Sequence, residues 1–218
     1  MREKINHIAI IPARKNSKEV KFKNRLLFKY TEEFVRKINW FNKIILASDD
    51  QYFASKCKKA NFIFYKRKKK NSQDNSPIKS VMEEVIKEFD INHKTIIWLL
   101  YLTIPDKKIS DFKRFKYITI KKNFLSSMSF VPIKTHPYDC WIINKKIKKL
   151  IKNDVYRRQD KIKLFEHHHY LCAFKAGEIN KLNSELLNSN TVPLILNKNI
   201  IEIDTRKELY KFIERKKV

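Results

Sequence analysis

Ile8-Ala9-Ile10-Ile11-Pro12-Ala13-Arg14-Lys15-Asn16-Ser17-Lys18-Glu19-Val20-Lys21-Phe22-Lys23-Asn24 decides the reading of this chain. Its first half is a short apolar, β-branched run, which predicts a buried parallel strand. Its second half is a polar loop that carries Arg14, Lys15, Lys18 and Lys23 among its cations. A basic loop leaving the carboxyl end of the first strand of an α/β sheet is a place where phosphates bind. Taken alone, the stretch predicts an anion site at a strand end.

The segments that follow repeat the strand-then-helix order. Apolar spacing predicts a helix over Leu26 to Trp40, a strand over Lys43 to Asp50 that ends in small polar residues, and a helix from Phe53 to Ala60, with Asp49 or Asp50 as its cap. Phe62 to Tyr65 reads as a third strand. Two βα units within this length point to a parallel, doubly wound sheet. Ile78 to Phe89 reads as a helix, Thr95 to Leu102 as the central strand, Ser110 to Lys116 as a short helix and Ser126 to Ile133 as another strand. From Thr135 the pattern changes. Trp141 to Ile143 is strand-like, Lys145 to Asn153 is loop-like or helical, and Lys161 to Phe174 alternates weakly. Val192 to Leu196 and Ile200 to Ile203 read as late strands, and Arg206 to Arg215 as a closing helix.

The chain has 218 residues, 43% of them hydrophobic, enough for one domain with a sizeable core. No apolar run is long enough to span a membrane. The start, Met1-Arg2-Glu3-Lys4, runs into a strand without a signal-peptide pattern. Cys57, Cys140 and Cys172 lack metal or framework spacing, so they are expected as reduced thiols in the cytoplasm. The net charge of +26 admits nucleic acid, an anionic surface or a polyanionic substrate. Lysine is spread from end to end, however, and the run Lys66-Arg67-Lys68-Lys69-Lys70 has no interleaved aromatics, which argues against nucleic acid. That run is either a solvated surface or a second cationic arm over the phosphate site. With one glycine, Gly177, in the chain, Asn and Asp are expected at left-handed turn positions.

Ala13-Arg14-x-x-Ser17-Lys18-x-Val20-x-x-Lys23-Asn24 resembles the signature loop of the acylneuraminate cytidylyltransferases, the CMP-sialic acid synthetase family. The likeness continues in order. Ser48-Asp49 resembles the end of the family's second strand. Tyr65 to Pro77 is similar to the next segment, with Arg67 and Asp74 at its usual arginine and aspartate. Leu99 to Pro105 stands at its central motif. Thr135-His136-Pro137-Tyr138, Arg157-Arg158-Gln159-Asp160 and Ile201-Glu202-Ile203-Asp204-Thr205 look like three further motifs.

The resemblance implies an α/β, Rossmann-like three-layer nucleotidyltransferase fold with a mostly parallel sheet. It also implies one domain over 1–218 and a dimerisation excursion at about 134–170. The implied reaction moves CMP from CTP to a nonulosonic, sialic-acid-like 2-keto acid sugar and releases pyrophosphate, in a homodimer. Arg14, Lys18 and Asp204 are the implied catalytic residues. Ala13, Arg14, Ser17, Lys18, Lys23, Asn24, Ser48 and Arg67 would bind nucleotide, and Tyr101, Arg158, Gln159 and His168 the sugar. Glu202 and Asp204, two apart on an expected strand, would share a face and hold Mg²⁺ through hard oxygen ligands. Without the resemblance they read as surface acids.

The chain also departs from the family pattern. Glu19 stands at a usual glycine, Tyr101 at a usual glutamine, and Leu102 and Ile104 at a usual Pro and Ser. Glu166-His167-His168-His169 replaces the Arg-Pro-Asn-Gly of the sialic-acid branch. The pseudaminic acid branch looks closer, since it too has a Leu-Tyr in the central motif and a Tyr-His-Asp segment before the late strand. The departures leave room for a catalytically silent paralogue that binds nucleotide or a partner. His167 and His169 would share a strand face without a third defined ligand, which reads as pocket lining rather than a metal site.

Overall fold

Six consecutive buried residues, His7–Pro12, form β1, an interior strand that lies beside the central one. The computed structural model describes residues 5–15, 17, 19–73, 75–121 and 124–216. β1 pairs in parallel with β2 (Lys43–Ser48) on one side and β4 (Ile96–Leu99) on the other. It is covered on both faces, so its sequence is a continuous apolar run rather than an alternation. Ile8 and Ile10 pack with Val81, Met82 and Val85 of α3 (Ile78–Glu88). Ala9 and Ile11 face the opposite layer. That layer is built from α1 (Lys23–Arg36), α2 (Tyr52–Ala60), α4 (Ile109–Lys121) and α5 (Arg206–Arg215).

The other strands are β3 (Ile63–Lys66), β5 (Ser126–Pro132), β8 (Phe165–Lys175) and β9 (Val192–Ile195). Among the described residues the seven-stranded sheet runs β3-β2-β1-β4-β8-β5-β9, and β8 alone is antiparallel to its neighbours β4 and β5. The fold is therefore α/β and three-layered with a mostly parallel sheet, as the strand-helix order predicts. Strand order reverses between β1 and β4, so the loops after these two strands diverge at their carboxyl ends. Such a switch point opens a crevice for ligands.

Between β5 and β8 the chain leaves the sheet. β6 (Trp141–Ile143) and β7 (Ile147–Lys149) form a separate antiparallel hairpin. The expected loop or helix over Lys145 to Asn153 holds for its loop part and is corrected at its middle: Ile147–Lys149 is a short strand because Trp141–Ile143 supplies a partner, while the residues on either side stay irregular. Asn144 supports the turn by accepting the Lys146 amide at 3.2 Å. Trp141, Ile143, Ile147 and Tyr156 stay exposed on this arm. Two other spans differ. α1 begins at Lys23, and α4 runs well beyond Lys116. Ile200 to Ile203 is not a strand. Its Ile203 amide makes one backbone bond, to the Thr103 carbonyl at 2.8 Å, and its side chain is fully buried, so the segment docks through a side chain rather than a ladder.

Asn61 and Asp90 take left-handed backbone conformations as expected, but Phe22 (φ 56°) and Leu186 (φ 66°) do so too. Gly177 serves a different need. A Cβ there would lie 2.9 Å from the Cβ of His93, whose carbonyl accepts the Gly177 amide at 3.0 Å. All three cysteines are free, and no helix among the described residues is long and apolar enough to cross a membrane.

Trp98 of β4 is fully buried against Phe112 and Phe115, and its Nε1 donates to Nδ1 of the buried His7 at 3.0 Å. Burial, helped by Lys116, presses the His7 pKa from 6.5 down to about 4. The unfolded chain therefore takes up this proton first on acidification. The stability contributed by neutral His7 is complete above pH 6.5 and is lost as pH falls through about 4. The full loss is about 3 kcal/mol. Urea denaturation at pH 7 and pH 4.5 should show a smaller acid loss for His7→Gln, which keeps an acceptor. Equal losses in both proteins would contradict this.

Candidate active site

The loop after β1 is bracketed from three sides. The fully buried Ser48 hydroxyl donates to the Ala13 carbonyl and accepts the Asp50 amide at 2.9 Å. Asp49 accepts the Lys15 amide at 2.7 Å, and Asn24 Nδ2 donates to the Arg14 carbonyl at 2.9 Å. Asp50 also accepts the Tyr52 amide, in the manner expected of a cap, and takes a two-pronged contact from Arg25 at 2.7 and 2.8 Å. The Arg25 guanidinium stacks over Phe22, whose left-handed backbone turns the chain into α1. The start of α1 is thus fastened to the end of β2, and Lys23 becomes its first residue.

These ties shape one wall of a cavity of about 580 Å³ at the switch point. Arg14, Ser17, Lys23, Asn24, Arg67 and Tyr101 line it, together with Glu202 and Asp204. The structure therefore brings together six of the residues expected at nucleotide and sugar with the pair expected at metal. Ala13 is fully buried just beside the lining, and Ser48 is committed to holding the loop. Lys18 and Asp74 lie outside the described residues. Glu19 is exposed and does not line the cavity, and Leu102 and Ile104 are buried in the core.

Arg67 is turned inward while Lys68, Lys69 and Lys70 stay exposed. Glu84 of α3 causes this by accepting the Tyr65 hydroxyl at 2.5 Å, the Lys68 amide at 2.9 Å and the Asn71 side-chain amide. The fixed Asn71 carbonyl then takes Nη2 of Arg67. Nε of Arg67 is buried without a partner among the described residues. An unmet buried donor costs about 1–3 kcal/mol. Burial lowers the guanidinium pKa, opposed by Asp49 and Glu84, but arginine stays charged in proteins. A ligand oxygen would relieve the unmet donor.

Across the cavity, burial pushes the Tyr101 hydroxyl pKa up, which keeps it a proton donor. Its ring meets that of His169 edge-on at 5.3 Å. Lys107 holds the loop after β4 by donating to the Tyr101 carbonyl at 2.7 Å, the Thr31 hydroxyl at 3.2 Å and the Ile104 carbonyl.

Glu202 and Asp204 flank the buried Ile203. Lys23 Nζ donates to Asp204 at 2.7 Å. Burial, and then the charge of Asp204, push the Glu202 pKa up. Two hard oxygen donors that repel one another suit a divalent cation, which relieves the repulsion. A second cavity, of about 750 Å³, has the same two acids on its wall, with Lys134, His168 and Lys198. His168 Nε2 lies 3.5 Å from Glu202, and its Nδ1 accepts the Tyr170 amide at 3.1 Å. Neutral His168 therefore carries its proton on Nε2, toward Glu202, and its lone pair is occupied. Burial lowers its pKa further. This geometry makes it a donor rather than a base.

Arg158 and Gln159 are exposed on the arm, on a short helical turn at Arg158–Asp160, and line neither cavity. Thr103, Gln73 and Glu185 are lining residues that the sequence reading did not single out. Gln73 falls within Tyr65 to Pro77, the segment likened to the family's, but is not marked there.

The sequence matches the cytidylyltransferase family over residues 8–207. No curated protein sequence matches the chain. Among solved structures, a CMP:2-keto-3-deoxy-manno-octonic acid synthetase complexed with CTP is 13% identical with TM-score 0.70, covering 98% of this chain and 100% of that one. A 4-diphosphocytidyl-2C-methyl-D-erythritol synthase is 11% identical with TM-score 0.63, covering 96% and 97%. The corresponding synthase from Anaerococcus prevotii is 12% identical with TM-score 0.61, covering 98% and 97%. At these identities the likeness bears on the fold.

Lys23 is buried, but the Asp204 side chain is 66% exposed. Lys23→Met should therefore cost no more than about 1 kcal/mol in urea denaturation, since the acid left behind is solvated. Titration calorimetry should show inorganic triphosphate binding about tenfold or more weaker. Unchanged triphosphate affinity would remove Lys23 from the anion site.

Proposed function

The chain belongs to the cytidylyltransferase family, and we propose that it transfers CMP from CTP to a nonulosonic or related 2-keto acid sugar, releasing pyrophosphate. One observation carries this reading: two ligand-sized cavities meet at Glu202 and Asp204. The first, bounded by the Arg14–Asn24 loop, takes the nucleotide. The second takes the acceptor. Its anomeric hydroxyl oxygen attacks the α-phosphorus as the hydroxyl proton passes to water, and the bond to the β-phosphate breaks with pyrophosphate leaving. Such transfers need alignment and charge neutralisation more than covalent help.

Arg14 and Lys23, with Lys18, hold the triphosphate and the departing pyrophosphate. Arg67 offers its unmet Nε to a nucleotide oxygen. Tyr101 and His168 border the two substrates and set specificity. The acceptor carboxylate falls to Lys134, because Lys198 is paired with Asp111. Glu202 and Asp204 would hold Mg²⁺, which when bound supplies positive charge at the transferring phosphoryl group. Asp204 must give up Lys23 for this, which frees the amine for phosphate. Tyr101 and the Glu166–His169 stretch favour a sugar other than N-acetylneuraminate, with the pseudaminic acid type first. The free cysteines accord with a cytoplasmic site of action.

The test is pyrophosphate release from CTP and Mg²⁺ with N-acetylneuraminate, pseudaminate, legionaminate and the shorter 2-keto-3-deoxy-manno-octonate. Release with one of them is expected, with Arg14→Ala losing most turnover while staying folded. CTP binding without release would favour a silent, nucleotide-binding paralogue. Absence of CTP binding would refute the reading.

The exposed apolar arm is proposed to join two copies of the chain, and through it Arg158 and Gln159 would reach a neighbour's acceptor cavity. Sedimentation should give a dimer for the wild type and a monomer for Ile143→Asp with Ile147→Asp. A monomeric wild type would contradict this.

A further inference from the structure

The three consecutive histidines face two ways. His168 faces Glu202, while His167 and His169 meet Glu185 on the other side of β8. In sequence these two imidazoles lack a third ligand. The fold supplies one from a loop that follows β8. Glu185 Oε2 lies 3.7 Å from His167 Nε2 and 3.8 Å from His169 Nε2. The imidazole planes stand at 87° with centroids 5.4 Å apart, so the two rings do not stack on one another.

We propose that His167, His169 and Glu185 bind a zinc-class divalent cation at the edge of the nucleotide cavity, distinct from the Glu202–Asp204 pair. Two imidazoles and one carboxylate form a donor set that suits zinc and other late first-row metals. Magnesium prefers oxygen ligands and keeps its waters, so it is the wrong ion for this cluster.

The distances are near what coordination requires. Bonds of about 2.0–2.1 Å in a tetrahedron place ligand atoms about 3.3 Å apart. The three ligand atoms here all lie within 4.8 Å of one another. Closing the site takes side-chain shifts of about 1.5 Å or less. The His169 Nε2 proton, now donated to the Glu185 carbonyl at 3.2 Å, is the one the ion displaces.

The frame around the ligands is fixed. β8 is bulged beside them, where pairing jumps between Met128 and Ser129. The Ser129 hydroxyl spans the bulge, donating to the His168 carbonyl at 2.6 Å and accepting the Leu171 amide at 3.1 Å. Bulges re-aim side chains in this way next to functional sites. On the loop, Asn183 Oδ1 accepts the amides of Glu185 at 3.0 Å and Leu187 at 2.9 Å. The buried Leu186 anchors the turn in its left-handed conformation. Three protein ligands leave a position open. His169 and Glu185 both line the nucleotide cavity, so its occupant comes from there: water, or an oxygen of a bound ligand.

The test uses the full, untagged chain, stripped of metal with a chelator. Equilibrium dialysis against Zn²⁺ is read by elemental analysis, and Co²⁺ loading by its visible absorption. Circular dichroism checks the fold of each variant. One zinc per chain is expected for the wild type and for Glu202→Gln, undisturbed by excess Mg²⁺. His167→Ala and Glu185→Gln should each weaken binding by about tenfold or more. Absence of stoichiometric zinc, displacement by Mg²⁺, or affinity unchanged from the wild type in both ligand variants would overturn the proposal. The last outcome would place the metal outside this cluster.

Discussion

Two neighbouring parallel strands whose following loops turn in opposite directions leave a gap that no backbone can fill. β1 and β4 are such a pair, and the cavity at their carboxyl ends is lined by Arg14, Lys23, Arg67, Tyr101, Glu202 and Asp204. The gap is a consequence of topology: β1, β2 and β3 step outward on one side, and the chain then returns to lay β4 on the other. What remains is to hold polar loops open around it. The chain does this with hydrogen bonds from Ser48, Asp49 and Asn24 to the first loop and with the three oxygens that receive Lys107 on the second.

A net charge of +26 would make an indiscriminate anion trap if the crevice shared it. It does not. Glu185, Glu202 and Asp204 stand opposite Arg14, Lys23 and Arg67 in the same cavity. Mixed charge of this kind recognises a polyanion accompanied by a cation, or a cation displaced by one. Lys23 on Asp204 shows the principle in miniature: an ammonium group now fills a place where a divalent ion and a phosphate could take over its two roles.

Much of the fold is legible in the sequence, because periodicity reports burial. β1 to β3, α2 and α3 fell where their apolar patterns put them. The failures have a common physical cause. Lys145 to Asn153 carries no decisive pattern, and only the presence of Trp141–Ile143 beside it makes a strand of Ile147–Lys149. Ile200 to Ile203 has the composition of a strand but no partner ladder, so one buried isoleucine decides its path. The site divides in the same way. The Arg14–Asn24 loop and the Glu202–Asp204 pair are contiguous in sequence and could be marked there. Glu185 could not, since nothing in its neighbourhood announces that a loop will carry it to His167 and His169. Nor could the separation of Arg158 from both cavities, which depends on how far the arm carries it from the sheet.

In the proposed arrangement the crevice between β1 and β4 holds the nucleotide, and Glu202 and Asp204 divide it from the acceptor. A crystal structure of the chain grown with CTP and Mg²⁺ tests this directly. The account predicts the triphosphate against Arg14 and Lys23, a ligand oxygen on Arg67 Nε, and Lys23 released from Asp204. A triphosphate bound instead along Lys68–Lys70, or in the cavity beside Lys134 with the Lys23–Asp204 pair intact, would contradict it.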